Sequence, residues 1–291
     1  MVWKFLLRQS SGLVLPLILC AQARSETPSG CVWKVTAPDG GTLYLGGSIH
    51  SLRSVDYPLP PAYNRAFEAS SRVALEVEDK ALRNSGPALE KSGEYPKGDS
   101  LKNHVDPRTY DYVRRVFALL HVPEAKIARC RPWFLVIMLE SAGRHGSSED
   151  LGVDAFITRR AKANDKAVIG LETLAEHLRV FSGLTDRQSE ALLLLTFIPQ
   201  ASAQKGGDRL MEAWRRGDVD TLAAIVHGEY REFPAFGNRL LDERNRNWLP
   251  KLEREIHSGK TCFVVVGAGH LGGPAGLLSL LRGHGYRLEK L

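Results

Sequence analysis

TLYLGGSIH (residues 42–50) and CFVVVGAGH (residues 262–270) follow one pattern. An apolar run with the character of a buried strand reaches a glycine, and three residues later comes a histidine. Short apolar runs bounded by turn residues suit strands covered on both faces. The two runs lie more than two hundred residues apart. A sheet that joins them in parallel needs long crossovers, which are usually helical. Gly47 and Gly267 are expected to let the backbone turn sharply, so that His50 and His270 are presented at the strand tips rather than buried.

Outward from these turns the chain alternates strand-like and helix-like stretches. VWKVTAP (32–38) is followed by Asp39-Gly40-Gly41, a hairpin signal leading into the first pattern. YPLPPAYNRAFEAS starts a helix after its prolines, with Tyr63, Ala66, Phe67 and Ser70 on one face. RVALEVE (72–78) reads as a strand, with Val73, Leu75 and Val77 on one face and Ala74, Glu76 and Glu78 on the other. Residues 81–100, rich in Gly, Ser, Lys and Pro, read as a surface loop. Helical periodicity then runs to Leu252, interrupted by the strand KAVIGLE (166–172), and the chain closes with a helix and the short strand YRLEKL. The pattern predicts an α/β fold: a central mixed or parallel sheet flanked by helices, with the helices of about 174–236 as an inserted cap. Residues 24–291 are expected to form one domain.

Composition narrows the setting. The 291 residues suffice for a full core, and 43% hydrophobic with 25% charged residues is ordinary for a globular chain. Residues 1–23 read as an export signal. Lys4 and Arg8 precede the apolar GLVLPLILC (12–20), and Ala21-Gln22-Ala23 is a small-x-small cleavage site. That run is shorter than the roughly 20 residues that span a bilayer, so no stable transmembrane anchor is expected. The mature chain is placed in the periplasm or outside the cell. Of 39 basic residues, removal of Lys4 and Arg8 leaves 37 against 33 acidic ones, or +4. These charges are scattered, which argues against a nucleic-acid partner. Export also permits one disulfide among Cys31, Cys130 and Cys262. Cys262 opens a strongly apolar strand and reads as a buried hydrophobe, so a Cys31–Cys130 bridge is the expected pairing.

The strand ends carry the chemistry. In open α/β sheets, ligands bind beyond the carboxyl ends of the strands. His50, Glu76, Glu78, Glu172 and His270 stand at such ends. If the strands are parallel, two imidazoles and two or three carboxylates converge on one edge. Such a set suits a divalent transition ion, which lowers the pKa of a bound water and polarises a carbonyl. Without metal, the same set serves as a general base and its orienting acid, or each histidine satisfies only its own turn. His104, His121, His145, His177, His227, His257 and His284 fall in loops or on helix surfaces and read as solvated. VVVGAGHLGG also satisfies G-x-G-x-x-G through Gly267, Gly269 and Gly272, with Glu289 near the spacing of a ribose-binding acid. A dinucleotide fold is not expected, because no further βα units follow. Trp33, Trp133 and Trp248 read as core aromatics, LLLLTFIP (192–199) as the buried face of the cap, and ERNRNW (243–248) as a solvated helix face.

Taken in order, YLGGSIHSL, YPLPPAYNRAFEASSRVALEVE, LGVDAFITRRAKANDKAVIGLET, RNRNW and FVVVGAGHLGGPAGLLSLLRGHGY resemble the successive signatures of the TraB/PrgY/GumN family. The resemblance covers the chain from about Trp33 to its last residue. That family is distantly similar to the Tiki metalloproteases of animals and to the fold of erythromycin esterases and ChaN-type proteins, which share two G-x-x-H turns and a glutamate. The resemblance implies His50 and His270 in the two turns and Glu76 as the glutamate; the three are expected to hold one divalent ion, and their nitrogen-plus-oxygen donors suit manganese, cobalt or zinc. It further implies that Asp154, Glu172, Arg244 and Asn245 support these groups or touch substrate. Glu172 would activate water or orient a histidine, and Arg244 would bind a developing negative charge. The first turn reads Gly46-Gly47-Ser48 where the family often has Gly-Thr, and serine keeps the hydroxyl. The function expected is an exported metal-dependent hydrolase acting on a peptide or protein. The alternatives are a non-catalytic peptide-sequestering protein and a metal-independent, esterase-like hydrolase.

Overall fold

The computed structural model describes residues 30–143, 151–197 and 203–291. The export-signal segment 1–23, His145, Ile198 and Pro199 lie outside the described residues. Six strands form one mixed sheet: β1 (Val32–Thr36), β2 (Thr42–Ser48), β3 (Arg72–Val77), β4 (Ala167–Glu172), β5 (Cys262–Gly267) and β6 (Arg287–Lys290). Their spatial order is β4-β3-β5-β2-β1-β6. Neighbours among β4, β3, β5 and β2 are parallel, whereas β1 is antiparallel to both β2 and β6. The expected hairpin is present between β1 and β2. Gly40 turns it at φ +91°, and Ala37 N–H donates to the Gly41 carbonyl at 2.8 Å.

β5 is the spine of the sheet. It pairs with β2 on one side, Leu45 opposite Val264, and with β3 on the other, Leu75 opposite Val265. Helices cover both faces, so Cys262 to Val266 are wholly buried and every position must be apolar. Pro60 and Pro61 start the helix Pro61–Glu68, which buries Ala62, Tyr63, Ala66 and Phe67 as its periodicity predicts. The Tyr63 ring packs on Trp214 and Phe263 with centroids 5.7 and 6.4 Å apart. Truncating one such buried aromatic to alanine costs about 3–5 kcal/mol.

A second hydrophobic cluster forms the helical layer over the sheet edge, and its membership differs from the expected 174–236 segment. Leu101, Val113, Phe117, Ile127 and Trp133 pack in it with Val180, Leu192, Leu193 and Phe236. Ala213, Trp214 and Leu222, inside the expected cap, belong instead to the sheet's own core. Helical periodicity shows which face of a helix is buried but not which core receives it. Residues 81–100 also depart from the loop reading, with helices at Asp79–Arg83 and Gly86–Gly93. Pro87 fits a helix's first turn, and Gly93 leaves room for the Phe134 ring, which a Cβ would meet at 2.5 Å.

The expected disulfide is absent: Cys31, Cys130 and Cys262 are free, buried thiols. Cys31 lies in the sheet core and Cys130 in the helical layer, so two separate clusters hold the proposed partners apart. Burial pushes the Cys130 thiol up to about 11, the Cys262 thiol up to about 12, and Cys31 higher still. Among the described residues, no helix is long and apolar enough to cross a membrane.

Candidate functional site

The parallel strands β2, β3, β4 and β5 end on one edge of the sheet, and a cleft of about 670 Å³ opens there beneath the helical layer. His50, Glu76, Arg244, Gly267 and His270 line its floor, with Glu172 directly behind Arg244. The two Gly-x-x-His turns therefore meet beside Glu76, as the sequence predicts. Gly267 marks their meeting point. A Cβ built on it would lie 3.3 Å from Glu76 Oε1, 3.5 Å from His50 Nε2 and 3.5 Å from His270 Cδ2.

Each imidazole is held from behind through Nδ1. Asn245 spends its amide N–H groups on the carbonyls of His270 (3.2 Å) and Ala275 (2.9 Å). Its Oδ1 is then an acceptor only, and His270 Nδ1–H donates to it at 2.7 Å. His270 Nε2 thus carries the lone pair and accepts from Arg244 Nη1 at 3.1 Å. Desolvation, with Arg244 alongside, holds the His270 pKa down to about 3, so this ring is neutral. His50 Nδ1–H donates to Asp154 Oδ2 at 2.7 Å, and Ser48 Oγ donates to the same oxygen. The Asp154 charge pushes His50 up to about 9. The outer side of the His50 ring faces the cleft, with the side chain 60% exposed.

Arg244 ties the carboxylates together. Its Nη2 donates to Glu76 Oε2 at 2.5 Å and Glu172 Oε1 at 2.7 Å, its Nε donates to Glu172, and its Nη1 donates to the Leu240 carbonyl and to His270. The guanidinium also sits 4.5 Å over the Trp248 ring. Glu76 Oε1 accepts from Gly267 N–H at 2.8 Å. Desolvation opposes the charge on Glu76, but Arg244, with His50 and the Gly267 amide, outweighs it and holds the pKa well below the usual range. Glu172 is likewise lowered, because hydrogen bonds from His177 and Arg244 overcome its desolvation.

Several expectations need correction here. ERNRNW is not a solvated face: Arg244, Asn245 and Trp248 are buried, since the helix Glu243–Ile256 points its first turn at the strand ends. Arg244 has its N–H donors committed to protein acceptors, so it sets the charge and position of Glu76 rather than standing free for an oxyanion. Glu78 is exposed at the start of Asp79–Arg83, which leaves Glu76 as the carboxylate of that strand. Gly47 and Gly267 do not have positive φ. Crowding requires glycine at Gly47 instead, where a Cβ would meet Cys31 Sγ at 2.8 Å and Leu271 Cδ1 at 2.9 Å. Gly272 of the G-x-G-x-x-G run makes room for the Val219 backbone, whose carbonyl a Cβ would meet at 2.0 Å.

His177 was the residue missed. Read as solvated, it instead lines the cleft and donates from Nδ1 to Glu172 Oε1 at 2.7 Å. The signal was local: Thr173 and Glu176 form a capping box directly after β4, which fixes where the helix Leu174–Ser182 begins and sets His177 in its first turn. Glu76, Glu172 and His177 offer ligand atoms within 4.8 Å of one another, yet Arg244 Nη2 touches all three and occupies the place a cation would take.

A mixed α/β sheet whose parallel strands deliver two Gly-x-x-His turns and a glutamate to one cleft defines a class of imidazole–carboxylate cleft proteins. The chain belongs to the TraB/PrgY/gumN family, whose family model matches residues 31–290. It is 22% identical over 303 residues to an uncharacterized protein of Treponema pallidum (strain Nichols), covering 93% of this chain and 88% of that protein. No solved structure matches it.

Proposed function

We propose that the chain is an exported, metal-dependent hydrolase of peptide bonds, with His50, Glu76 and His270 holding one divalent ion of manganese, cobalt or zinc. One observation supports this reading above others: both imidazoles are pinned at Nδ1, His50 Nε2 and Glu76 Oε1 flank Gly267, and His270 Nε2 lies 3.8 Å from Glu76 Oε1, so an ion there would take over the His270 lone pair that Arg244 Nη1 now holds. Nitrogen and oxygen donors backed by an amide and a carboxylate are the pattern of a transition-metal set. The missing Cβ of Gly267 leaves the space between them. His50 must give up a proton on binding, so metal uptake releases protons. A divalent ion there would supply a lowered pKa for water and polarisation of a carbonyl.

The chain's own groups have separate duties. Asp154 and Asn245 fix ring orientation, Arg244 keeps Glu76 ionised and in place, and Glu172 orients Arg244 and His177. His177 lines the cleft beside these groups, with its Nδ1 held by Glu172.

A peptide library assayed with added manganese, cobalt or zinc, with and without chelator, tests the reading. Metal-stimulated turnover lost in His50→Ala and His270→Ala is expected. His50→Ala should leave the melting temperature nearly unchanged, because its side chain is largely exposed. His270→Ala should lower it, because Asn245 and Arg244 lose a buried partner. Turnover that survives chelator would favour a metal-independent hydrolase instead, a reading supported by the Arg244–His270 contact, with Asp154–His50 as its acid–base pair. Sequencing the mature N-terminus tests export.

A further inference from the structure

We infer that the cleft receives an N-acyl amide, with a hydrocarbon chain along its walls and the amide carbonyl at its floor. The inference rests on the hydrolase reading above, keeps its amide-bond chemistry, and replaces the extended peptide with an N-acyl amide as the substrate. The polar floor is small, and the described walls above it are apolar and helical. Leu210, Leu222 and Val226 rise from the body, and Phe181, Leu192 and Phe236 descend from the helical layer. All six lie in helices, whose backbone N–H and C=O groups are used in their own ladders.

That construction selects against a peptide main chain in the upper cleft. An extended peptide is held where a strand edge offers free backbone groups. Laid along these walls, its amides would lose water and find no partner, a penalty repeated at each residue. A polymethylene chain carries no such groups and gains from every methylene removed from water. Apart from Tyr230, the polar residues of the described walls are His177, whose Nδ1 is held by Glu172, and Thr196 and Glu229, both exposed, and the Thr196 hydroxyl already donates to the Leu193 carbonyl at 2.6 Å. The volume of about 670 Å³ is in the range of small-molecule cavities, roughly 300–1,000 Å³. In the reaction, water adds to the acyl carbon and the C–N bond breaks. The acid leaves as a carboxylate, and the amine takes both protons of the water.

The test uses the full chain with N-acyl-alanines of four, eight and twelve carbons, and an acetylated Leu/Ala hexapeptide for comparison. Binding is read by calorimetry and cleavage by released alanine. Affinity should rise roughly three- to fourfold per methylene until the cleft is full. Leu195→Arg, at the partly exposed cleft wall, should flatten that rise, and Leu195→Ala serves if the arginine variant misfolds. Chain-length-dependent binding without cleavage upholds the acyl site and overturns the hydrolase reading. Cleavage of the hexapeptide with no chain-length dependence upholds the hydrolase and overturns the acyl site.

Discussion

Asn245 accepts the Nδ1 proton of His270 at 2.7 Å while both its own N–H groups are held by backbone carbonyls, so the tautomer of a wholly enclosed imidazole is set by its neighbour's amide. Asn245→Leu removes the acceptor and both donors. A stability loss of about 1–3 kcal/mol in urea unfolding is expected from the orphaned groups. Cobalt affinity should fall by about 10–100-fold. Asn245→Asp, which keeps an acceptor, should retain most of the metal affinity. Equal affinities in the two variants would argue against this role.

Alanine at the two turn glycines should separate site from scaffold. At Gly267 the atoms nearest the added methyl are site groups, at 3.3 to 3.5 Å, and the backbone tolerates it at φ −49°. Gly267→Ala should therefore fold with a melting temperature close to that of the parent and lose metal binding. At Gly47 the methyl meets Cys31, Leu271 and the Ala268 Cα at 2.8 to 3.1 Å. Overpacking there should cost about 1–3 kcal/mol. Calorimetric melting of both variants, beside a metal titration, checks the contrast.

Arg244→Met should be the most damaging single change at the floor. It leaves Glu76 and Glu172 buried without their shared cation, and breaking one side of a buried ion pair costs about 3–5 kcal/mol. Arg244→Lys keeps the charge but not the fork that reaches both carboxylates, Leu240 and His270, so it should recover only part of the loss. Denaturant midpoints of the three proteins decide the matter, and a methionine variant as stable as the parent would refute it.

Away from the cleft, His104 makes the helical layer sensitive to pH. Its Nδ1 meets Asp186 at 2.7 Å, its Nε2 meets Asp99 at 2.8 Å, and its ring stacks on Tyr95 at 3.9 Å. Desolvation lowers its pKa, but the two carboxylates outweigh that effect and leave it above the ordinary 6.5. Its contribution is therefore complete below that value and lost as pH rises through the raised one. Asp99 is held down to about 2 by hydrogen bonds from Asn103, His104 and the Ser100 amide, so its share is lost only as pH falls through about 2. The stability gap between the parent and His104→Asn should be widest below pH 6.5 and shrink as pH rises above it. A gap that grows with pH would be the wrong sign.

What could be read from sequence follows from how local each signal is. The strand runs around Leu43 and Val264 and the periodicity of Pro61–Glu68 are carried by neighbouring residues, so the α/β sheet and the meeting of His50, Glu76 and His270 were legible. Arg244 was placed at the site only through family resemblance. Its surroundings in ERNRNW are as polar as any surface helix, and burial there depends on two carboxylates from distant strands. His177 was misread because partnership with Glu172 is not visible in hydrophobic periodicity. The cysteine pairing failed because it counted thiols without knowing that Cys31 and Cys130 lie in different cores. Gly47 was correct as a position and wrong as a reason, since packing rather than dihedral freedom excludes a side chain.

The most direct measurement is the anomalous scattering of crystals of the full chain grown with cobalt. One peak about 2.0–2.2 Å from His50 Nε2, His270 Nε2 and Glu76 Oε1 is the expected result. A peak among Glu76, Glu172 and His177 with Arg244 displaced, or no peak in protein saturated with cobalt, would contradict the assignment of the metal to the two Gly-x-x-His turns.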